Sequence, residues 1–559
     1  MLLWIAFLTG IPLLTLYLFD RTHYHRLRQY ARFPQLPPSW IWGHMKTLDG
    51  VMGEGDRRRH IDQVFLEIHT KLDKPPLFVV DLRPVLYSIC VICNHEVAEQ
   101  ISRASKAFPY SLPKGDVLGN FEPLIGGQSI LSAQGSEWKA LRKRFNSGFA
   151  PQHLISLLPG ILDRVQRFID ILDDHARSGE IFALDEPCIN LTFDIIGTVT
   201  MDTNLHAQGN PGTQSPIVTT FRQLVSLYRT NGSASWDQFK IVTKLQRWML
   251  SRRLDAMLRN HVQKSYTAWK SRSSNAKNSR SVLALSFEGV DNLDANLLAS
   301  TCDQLKTFLF AGHDTTSSLL QWAFYELSRT PHALRALRDE LNEVLGPDSS
   351  STAIREQLLS QRGESLLSRM TYTAAVIKEA LRLHPPAGTG RFVSQGTGFN
   401  VTLPDGEVLC LDGMILHNCE TIIQRDGKVY GVTKDAFVPE RWIEHTTPGF
   451  TSNPNVKTES GSESGTGIPA SAWRPFERGP RNCIGQELAN LEAKIVLACT
   501  LRRFDFVKVG LGEVVRDSQG RAVMGEFRQY AVKEELFNIM EVTGKPVDGT
   551  QMRVLFAKR

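Results

Sequence analysis

The sequence predicts a mainly helical protein with a small β portion. From about residue 137 to residue 345 the pattern is mostly helical, and its longest stretch, Asp294 to Arg329, runs without a proline. The β-like runs are short by comparison: "LFVVDL" and "VLYSICVIC" between residues 77 and 93, and "MRVLFAKR" at the C-terminal end. Runs of that size build small sheets, whereas a helix of about 36 residues is far above the usual length and crosses a whole globule.

The elements follow in order. "LLWIAFLTGIPLLTLYLF", residues 2–19, carries no charge. As a helix it would be roughly 27 Å long, about one bilayer core. Arg21, Arg26, Arg28 and Arg32 follow, and the positive-inside rule places that flank and the rest of the chain in the cytosol. The positively charged start and the A-x-A-like site of a cleaved leader are missing. Residues 1–20 are therefore read as a single transmembrane anchor, and residues 21–40, ending in "RFPQLPPSW", as a basic, proline-rich hinge. Residues 41–559 are read as one domain.

Within that domain "HIDQVFLEIHTKL" reads as a helix ahead of the first β-like runs. After the long helical segment, Thr330 and Pro331 have the chemistry of an N-cap and first position. A helix over 371–383, "TYTAAVIKEALRL", stops before Pro385 and Pro386. Residues 390–416 read as short strands, with Asp405-Gly406 as a hairpin turn. Residues 447–470 are rich in Gly, Ser and Thr and poor in large apolar residues, which predicts a flexible surface insertion without chemistry.

A chain of 559 residues that is 42% hydrophobic has ample material for a core, so global disorder is excluded. The net charge of +6 comes from scattered basic residues against 58 acids, which gives no case for nucleic acid. The eight cysteines form no disulfide framework, and free thiols in a chain this size fit a reducing compartment. Cys90 and Cys93 make a C-x-x-C inside an apolar run and read as buried strand residues, not zinc ligands.

One cysteine stands apart. In "PFERGPRNCIGQELA", residues 475–489, Cys483 follows Glu477, Arg478, Gly479, Pro480, Arg481 and Asn482, a poor setting for core packing. Gly479 and Gly485 let the backbone approach closely, and Pro480 stiffens the loop. The helix-forming run after Gly485 places an N-terminal dipole behind the sulfur, which favours negative charge there. A single thiolate, with no His or Cys clustered for zinc, points to one axial bond to iron. Such a loop also carries arginines able to face the carboxylates of a cofactor.

"FERGPRNCIG", residues 476–485, resembles the haem-binding signature of the cytochromes P450, F-x-x-G-x-R-x-C-x-G, at every fixed position. The resemblance implies the cytochrome P450 fold, a long central helix over haem b, and Cys483 as the axial iron ligand. It further implies Phe476 packed near that sulfur and Arg481 paired with a haem propionate. Three more motifs stand in the family's order. "WKALR" (138–142) implies Trp138 and Arg142 as propionate partners, and Arg391 in "GTGRFV" is a further candidate contact. "EALR" (379–382) and "PERW" (439–442) imply a structural network of Glu379, Arg382 and Arg441 that fixes the cysteine loop. "AGHDTT" (311–316) implies a groove over the haem. In it Ala311 and Gly312 leave space, Thr315 hydrogen-bonds dioxygen, and Asp314 helps to bring in protons. His313 falls at a variable position, for which a bland role is expected.

The likeness runs from about residue 33 to the C-terminus and implies a monooxygenase. Its pocket walls are implied at residues 105–133, about 205–240, 311–315 and 387–393. No phosphate-cradling glycine fingerprint is present, so NADPH and flavins enter only through a separate NADPH–cytochrome P450 reductase, with cytochrome b5 as a possible second donor. Lys139, Lys143 and Arg144 are candidates for a basic docking face or a plain solvated one. The expected protein sits in the endoplasmic reticulum membrane and takes O2 and a lipophilic small molecule of the polyketide or terpenoid class, as in filamentous fungi. A fatty-acid or alkane hydroxylase is the alternative within the class, and a haem-binding sensor or carrier the alternative outside it.

Overall fold

A computed structural model describes residues 2–228, 240–271, 280–443 and 467–557, giving only the backbone of residues 2–9 and of 116 and 117. The expected insertion at 447–470 falls, up to residue 466, outside the described residues, as does the 229–239 part of the expected pocket wall.

Helix α1, Leu2–His23, runs into a π-helical turn, Tyr24–Arg28. Among the described residues no helix is long and apolar enough to cross a membrane. The side chains of residues 2–9, eight of the twenty residues of the expected anchor, lie outside the described set. The segment expected as a hinge is docked onto the body. Tyr30 and Phe33 are buried, the Pro34 carbonyl accepts from the Val79 N–H at 2.9 Å, and Arg26 pairs with Asp81 at 3.0 Å. Two aromatic rings have enough apolar surface to dock a strap that its prolines alone would mark as a free linker.

Among the described residues, eleven short strands make up the β portion. β1 (Leu77–Asp81), β2 (Ser88–Ile92), β4 (Thr389–Phe392) and β7 (Ile415–Asn418) form one sheet in the order β1-β2-β7-β4, with β2 and β7 parallel. Leu77, Val79, Cys90 and Ile92 enter one core cluster, and Phe78, Val80, Val91 and Cys93 enter another. Both faces are covered, which is why β1 and β2 read as nearly unbroken apolar runs. Cys90 and Cys93 point to opposite faces and cannot share a metal. β3 (Ile181–Ala183), β8 (Phe504–Lys508) and β11 (Gln551–Phe556) form an antiparallel sheet in the order β3-β11-β8. β5 (Asn400–Thr402) pairs with β6 (Val408–Cys410) around the Asp405-Gly406 turn, and β9 (Asn538–Met540) pairs with β10 (Gly544–Pro546).

The helices that position the site are α2 (Ile61–Lys71), α3 (His95–Ser102), α4 (Gly135–Asn146), α5 (Asp185–Met201), α6 (Pro216–Ser226), α7 (Ile241–Lys270), α8 (Ala295–Arg329), α9 (Thr371–Leu383) and α10 (Gln486–Thr500). α8 has 35 residues and is capped by Asp294, whose carboxylate accepts from the Leu297 N–H at 2.8 Å. It lies in the main core cluster, most extensively against α5. Thr192 of α5 donates to the His313 carbonyl of α8 at 2.7 Å, which ties the two helices at the middle of the crossing.

Candidate active site

The loop from Phe476 to Gly485 is folded tightly on itself. Cys483 N–H donates to the Phe476 carbonyl at 2.8 Å, and the Phe476 ring packs edge-on to Trp473. Gly479 has φ 74°, and a side chain there would overlap the Ser102 carbonyl at the end of α3. That position needs glycine for its conformation and for its clearance. Gly485 is the N-cap of α10, and a Cβ on it would stand 3.8 Å from Cys483 Sγ, so the sulfur sits over the start of that helix. All eight cysteines are free, and Cys483 and Cys410 are the two exposed ones. Burial of the sulfur's surroundings pushes the Cys483 thiol up, while the N–H groups of Gly485 and Gln486 and the Arg142 guanidinium pull it back toward the thiolate.

Around this sulfur stands a ring of cations. Arg142 of α4 donates to the Asn482 carbonyl at 2.6 Å and to its side chain at 3.0 Å. Arg481 donates to Gln134 at 3.0 Å and to the carbonyls of Ile130 and Leu131, and its guanidinium lies 5.2 Å over the Trp138 ring. Arg391 on β4 is fully buried, with all three guanidinium nitrogens lacking a hydrogen-bond partner and Glu477 at 4.0 Å. Lys114 donates to Thr389 on the same strand. Burial, reinforced by Arg391 and Arg142, brings Arg481 down to about 9. Burial and the charges of Arg391 and Arg481 bring Lys114 down to about 7. Four crowded cations, with the Arg391 donors idle, suit a multiply anionic ligand.

Behind the loop, Glu379 of α9 is fully buried and holds four partners, one of them the Val438 N–H at 3.0 Å. Arg382 donates to it at 2.8 and 2.9 Å, Arg441 at 3.0 Å and the Trp442 indole at 2.9 Å. Arg382 also donates to the carbonyls of Gln424, Lys434 and Ala436, which fixes the chain leading toward the cysteine loop. The buried charges are thus paired and hydrogen-bonded on every side.

On α8, Thr315 donates back to the Ala311 carbonyl at 2.8 Å, and Ala311, Gly312 and Thr315 are half-buried. The structure places the bare side of Gly312 against α5 instead of over the expected groove. A Cβ there would meet Ile196 Cδ1 at 2.7 Å, so the residue is needed for the close helix crossing. Asp314 is buried in an ion pair with Lys545 of β10 at 2.6 Å and accepts from the Thr543 hydroxyl at 2.5 Å. His313 packs between Phe193 and Phe221, and burial takes its imidazole down to about 4. It is neutral and lies in the aromatic packing of α5 and α6.

The cytochrome P450 family profile matches residues 34–525. The chain belongs to the cytochromes P450. Among curated relatives it is 31% identical over 493 residues to cytochrome P450 monooxygenase acrF of Aspergillus aculeatus, covering 86% of this chain and 94% of that one. It is 31% identical over 504 residues to cytochrome P450 monooxygenase polC of Polytolypa hystricis, covering 87% and 84%. The fold matches the crystal structure of the cytochrome P450DA heme domain with a TM-score of 0.67 at 17% identity, over 94% of this chain and 98% of that one.

This cytochrome P450 is a monooxygenase, and its cofactor is haem b. The side chains present fit that group: haem b brings two carboxylates, and the ring around Arg391 offers unpaired cationic donors in a buried setting.

Sequence reasoning passed over several residues of this region. Lys114 is a single lysine in an irregular stretch, and only its approach to Thr389, far along the chain, marks it. Gln134 and Asn482 hold Arg481 and Arg142 as neutral polar side chains with no motif of their own. Lys545 and Thr543 come from the C-terminal hairpin, which nothing in the local sequence ties to Asp314. Arg144, a candidate for a docking face, turns inward to the Ser286 carbonyl and the Thr301 hydroxyl, and burial lowers it to about 10.

Proposed function

We propose that this cytochrome P450 inserts one atom of O2 into a lipophilic small molecule of the polyketide or terpenoid class in fungal secondary metabolism, with electrons from a separate NADPH–cytochrome P450 reductase. The observation that carries the site assignment is the buried cation ring, with its idle Arg391 donors, beside a solvent-reachable cysteine over a helix start. Cys483 would hold the haem iron through its sulfur in this reading. Arg481, Arg142, Trp138, Arg391 and Lys114 would hold the propionates. Phe476, Gly479 and Gly485 shape the loop, and Glu379, Arg382 and Arg441 brace it. Bound haem supplies the activation of O2 through a thiolate-ligated iron.

The chain's own residues then manage substrate, water and protons. Ala311 and Thr315 line the groove on α8, and Thr315 offers its hydroxyl to the oxygen side. Asp314, one residue earlier, stores a carboxylate that opening of its Lys545 pair would release for proton delivery. The 31% relatives, named as cytochrome P450 monooxygenases of two fungi, support the reaction class and the fungal setting.

The proposal extends to the membrane. The domain reading of anchor, strap and catalytic body (1–20, 21–40, 41–559) is kept, with cytochrome b5 as an optional donor and the body facing the cytosol at the endoplasmic reticulum. Its support is a continuous set of exposed apolar side chains. Leu13, Leu14, Leu16, Leu18 and Phe19 of α1 are exposed, and Phe19 touches Trp40 of an exposed Trp40-Ile41-Trp42 patch. Such a surface is a membrane-contact feature.

The first test is the reduced carbon-monoxide difference spectrum of wild type beside Cys483→Ala. A red-shifted Soret band lost in the variant, followed by NADPH- and reductase-dependent oxygenation of lipophilic substrates, supports the reading. A spectrum indifferent to Cys483 removes it.

A further inference from the structure

We propose that Asp62, His417 and Cys419 form a binding site for one zinc ion where α2 meets β7. One carboxylate oxygen, one imidazole nitrogen and the thiol sulfur of these residues lie within 4.8 Å of one another. His417 Nε2 is 2.9 Å from Asp62 Oδ1, and Thr421 donates to Asp62 Oδ2 at 3.3 Å. A tetrahedral zinc with bonds of about 2.0–2.3 Å sets its ligand atoms about 3.3–3.8 Å apart, so small side-chain shifts close the site. The mixed sulfur, nitrogen and oxygen donor set suits zinc better than the hard cations, which take oxygen alone.

Two further observations point to a cation. Asp62 is 3% exposed, and its ion-pair partners are imidazoles: His417, and His60 at 3.9 Å; no Lys or Arg pairs with it among the described residues. A buried carboxylate without a permanent counter-charge is costly. A zinc-bound imidazole also needs its second nitrogen hydrogen-bonded, commonly to a carboxylate. Glu420 supplies one: its Oε2 is buried and unpartnered, and a methyl placed on Gly388 would stand 3.2 Å from that oxygen and 3.8 Å from His417 Nδ1, so both atoms face one gap.

Binding displaces the Cys419 thiol proton to solvent and moves the His417 proton to Nδ1, toward Glu420. Because Cys419 is fully buried, the ion enters as the domain folds, and it clips α2 to the sheet.

The test is elemental analysis of the holoprotein produced in zinc-supplemented cells and gel-filtered after brief chelation. The expected result is about one zinc per haem, lost in His417→Ala and Cys419→Ser while the carbon-monoxide spectrum is kept. Glu420→Gln is expected to weaken zinc binding about 10- to 100-fold. Zinc at background in wild type, or zinc kept in both ligand variants, overturns the proposal and leaves a hydrogen-bonded triad only. Should the variants fail to fold, zinc-edge X-ray absorption of wild type decides: one sulfur neighbour at about 2.3 Å supports the site, and a zinc shell without sulfur overturns it.

Discussion

The Asp314 carboxylate and the Lys545 ammonium meet at 2.6 Å in the protein interior, joining the middle of α8 to the C-terminal hairpin. Burial raises Asp314, but Lys545 and His313 more than offset it, so the group is held below its ordinary 3.8, while Lys545 is held above 10.5. A depressed acid contributes stability above its unfolded pKa and loses it as pH falls through the folded one; a raised base loses its contribution as pH rises through its folded value. The pair is therefore fully stabilising between about pH 4 and pH 10. Lys545→Met, which strands the carboxylate, is expected to cost roughly 3–5 kcal/mol in urea unfolding at neutral pH, with the deficit shrinking below pH 4. The double variant with Asp314→Leu recovers most of the loss. In turnover, Asp314→Asn is expected to keep the carbon-monoxide spectrum while product formation falls about 10²- to 10⁴-fold.

Lys114 gives a pH signature to cofactor binding. Burial and its arginine neighbours bring it to about 7, so above that pH it is largely neutral until an anion joins it. Binding of the propionates then requires proton uptake. Haem affinity is expected to fall with rising pH above 7 by up to about tenfold per unit. Lys114→Met binds more weakly, and its affinity no longer varies with pH through this group. Haem transfer to excess apomyoglobin, followed across pH 6–9, measures both.

The Glu379 network makes a sharper demand. Arg382 and Glu379 are completely buried, and Arg382 also serves three carbonyls. Glu379→Ala leaves two guanidinium groups without their counter-charge, at a cost of about 3–5 kcal/mol. Arg382→Lys keeps the charge but cannot span Glu379 and the Gln424, Lys434 and Ala436 carbonyls together. Both are expected to abolish or severely reduce haem incorporation, read as the ratio of Soret to protein absorbance, with Arg382→Lys the milder.

What the sequence made legible follows contact range. The long helix up to Arg329, the Thr330-Pro331 start of the next helix, the helix over 371–383 and the hairpin at Asp405-Gly406 rest on local periodicity and turn chemistry, and these elements stand where that chemistry puts them. The loop at 476–485 is written in consecutive residues and was readable for the same reason. Lys114, Gln134 and Lys545 reach their partners across long stretches of chain, and no local pattern encodes such meetings. The strap at 30–36 shows a different failure: proline content marked it as a linker, while burial of Tyr30 and Phe33 decided its placement. Gly312 combines both limits, since its position in the motif is local but the reason for a missing side chain is Ile196 on another helix.

That last contact yields a compensation test. A Cβ on Gly312 would stand 2.7 Å from Ile196 Cδ1 and 2.8 Å from Cγ1, well inside contact distance, at the crossing of α8 and α5. Gly312→Ala gains helix propensity of about 1 kcal/mol, and overpacking costs typically 1–3 kcal/mol. The single variant is expected to be net destabilised, because the crossing is also tied by Thr192 and cannot open freely. Ile196→Ala alone leaves a cavity and destabilises by about 2–5 kcal/mol. Together the two changes remove the clash and fill part of the cavity, so the double variant is expected to be more stable than the sum of the singles by 1 kcal/mol or so. Strict additivity in urea midpoints would mean that Gly312 does not serve the crossing, and would return it to the groove over the haem.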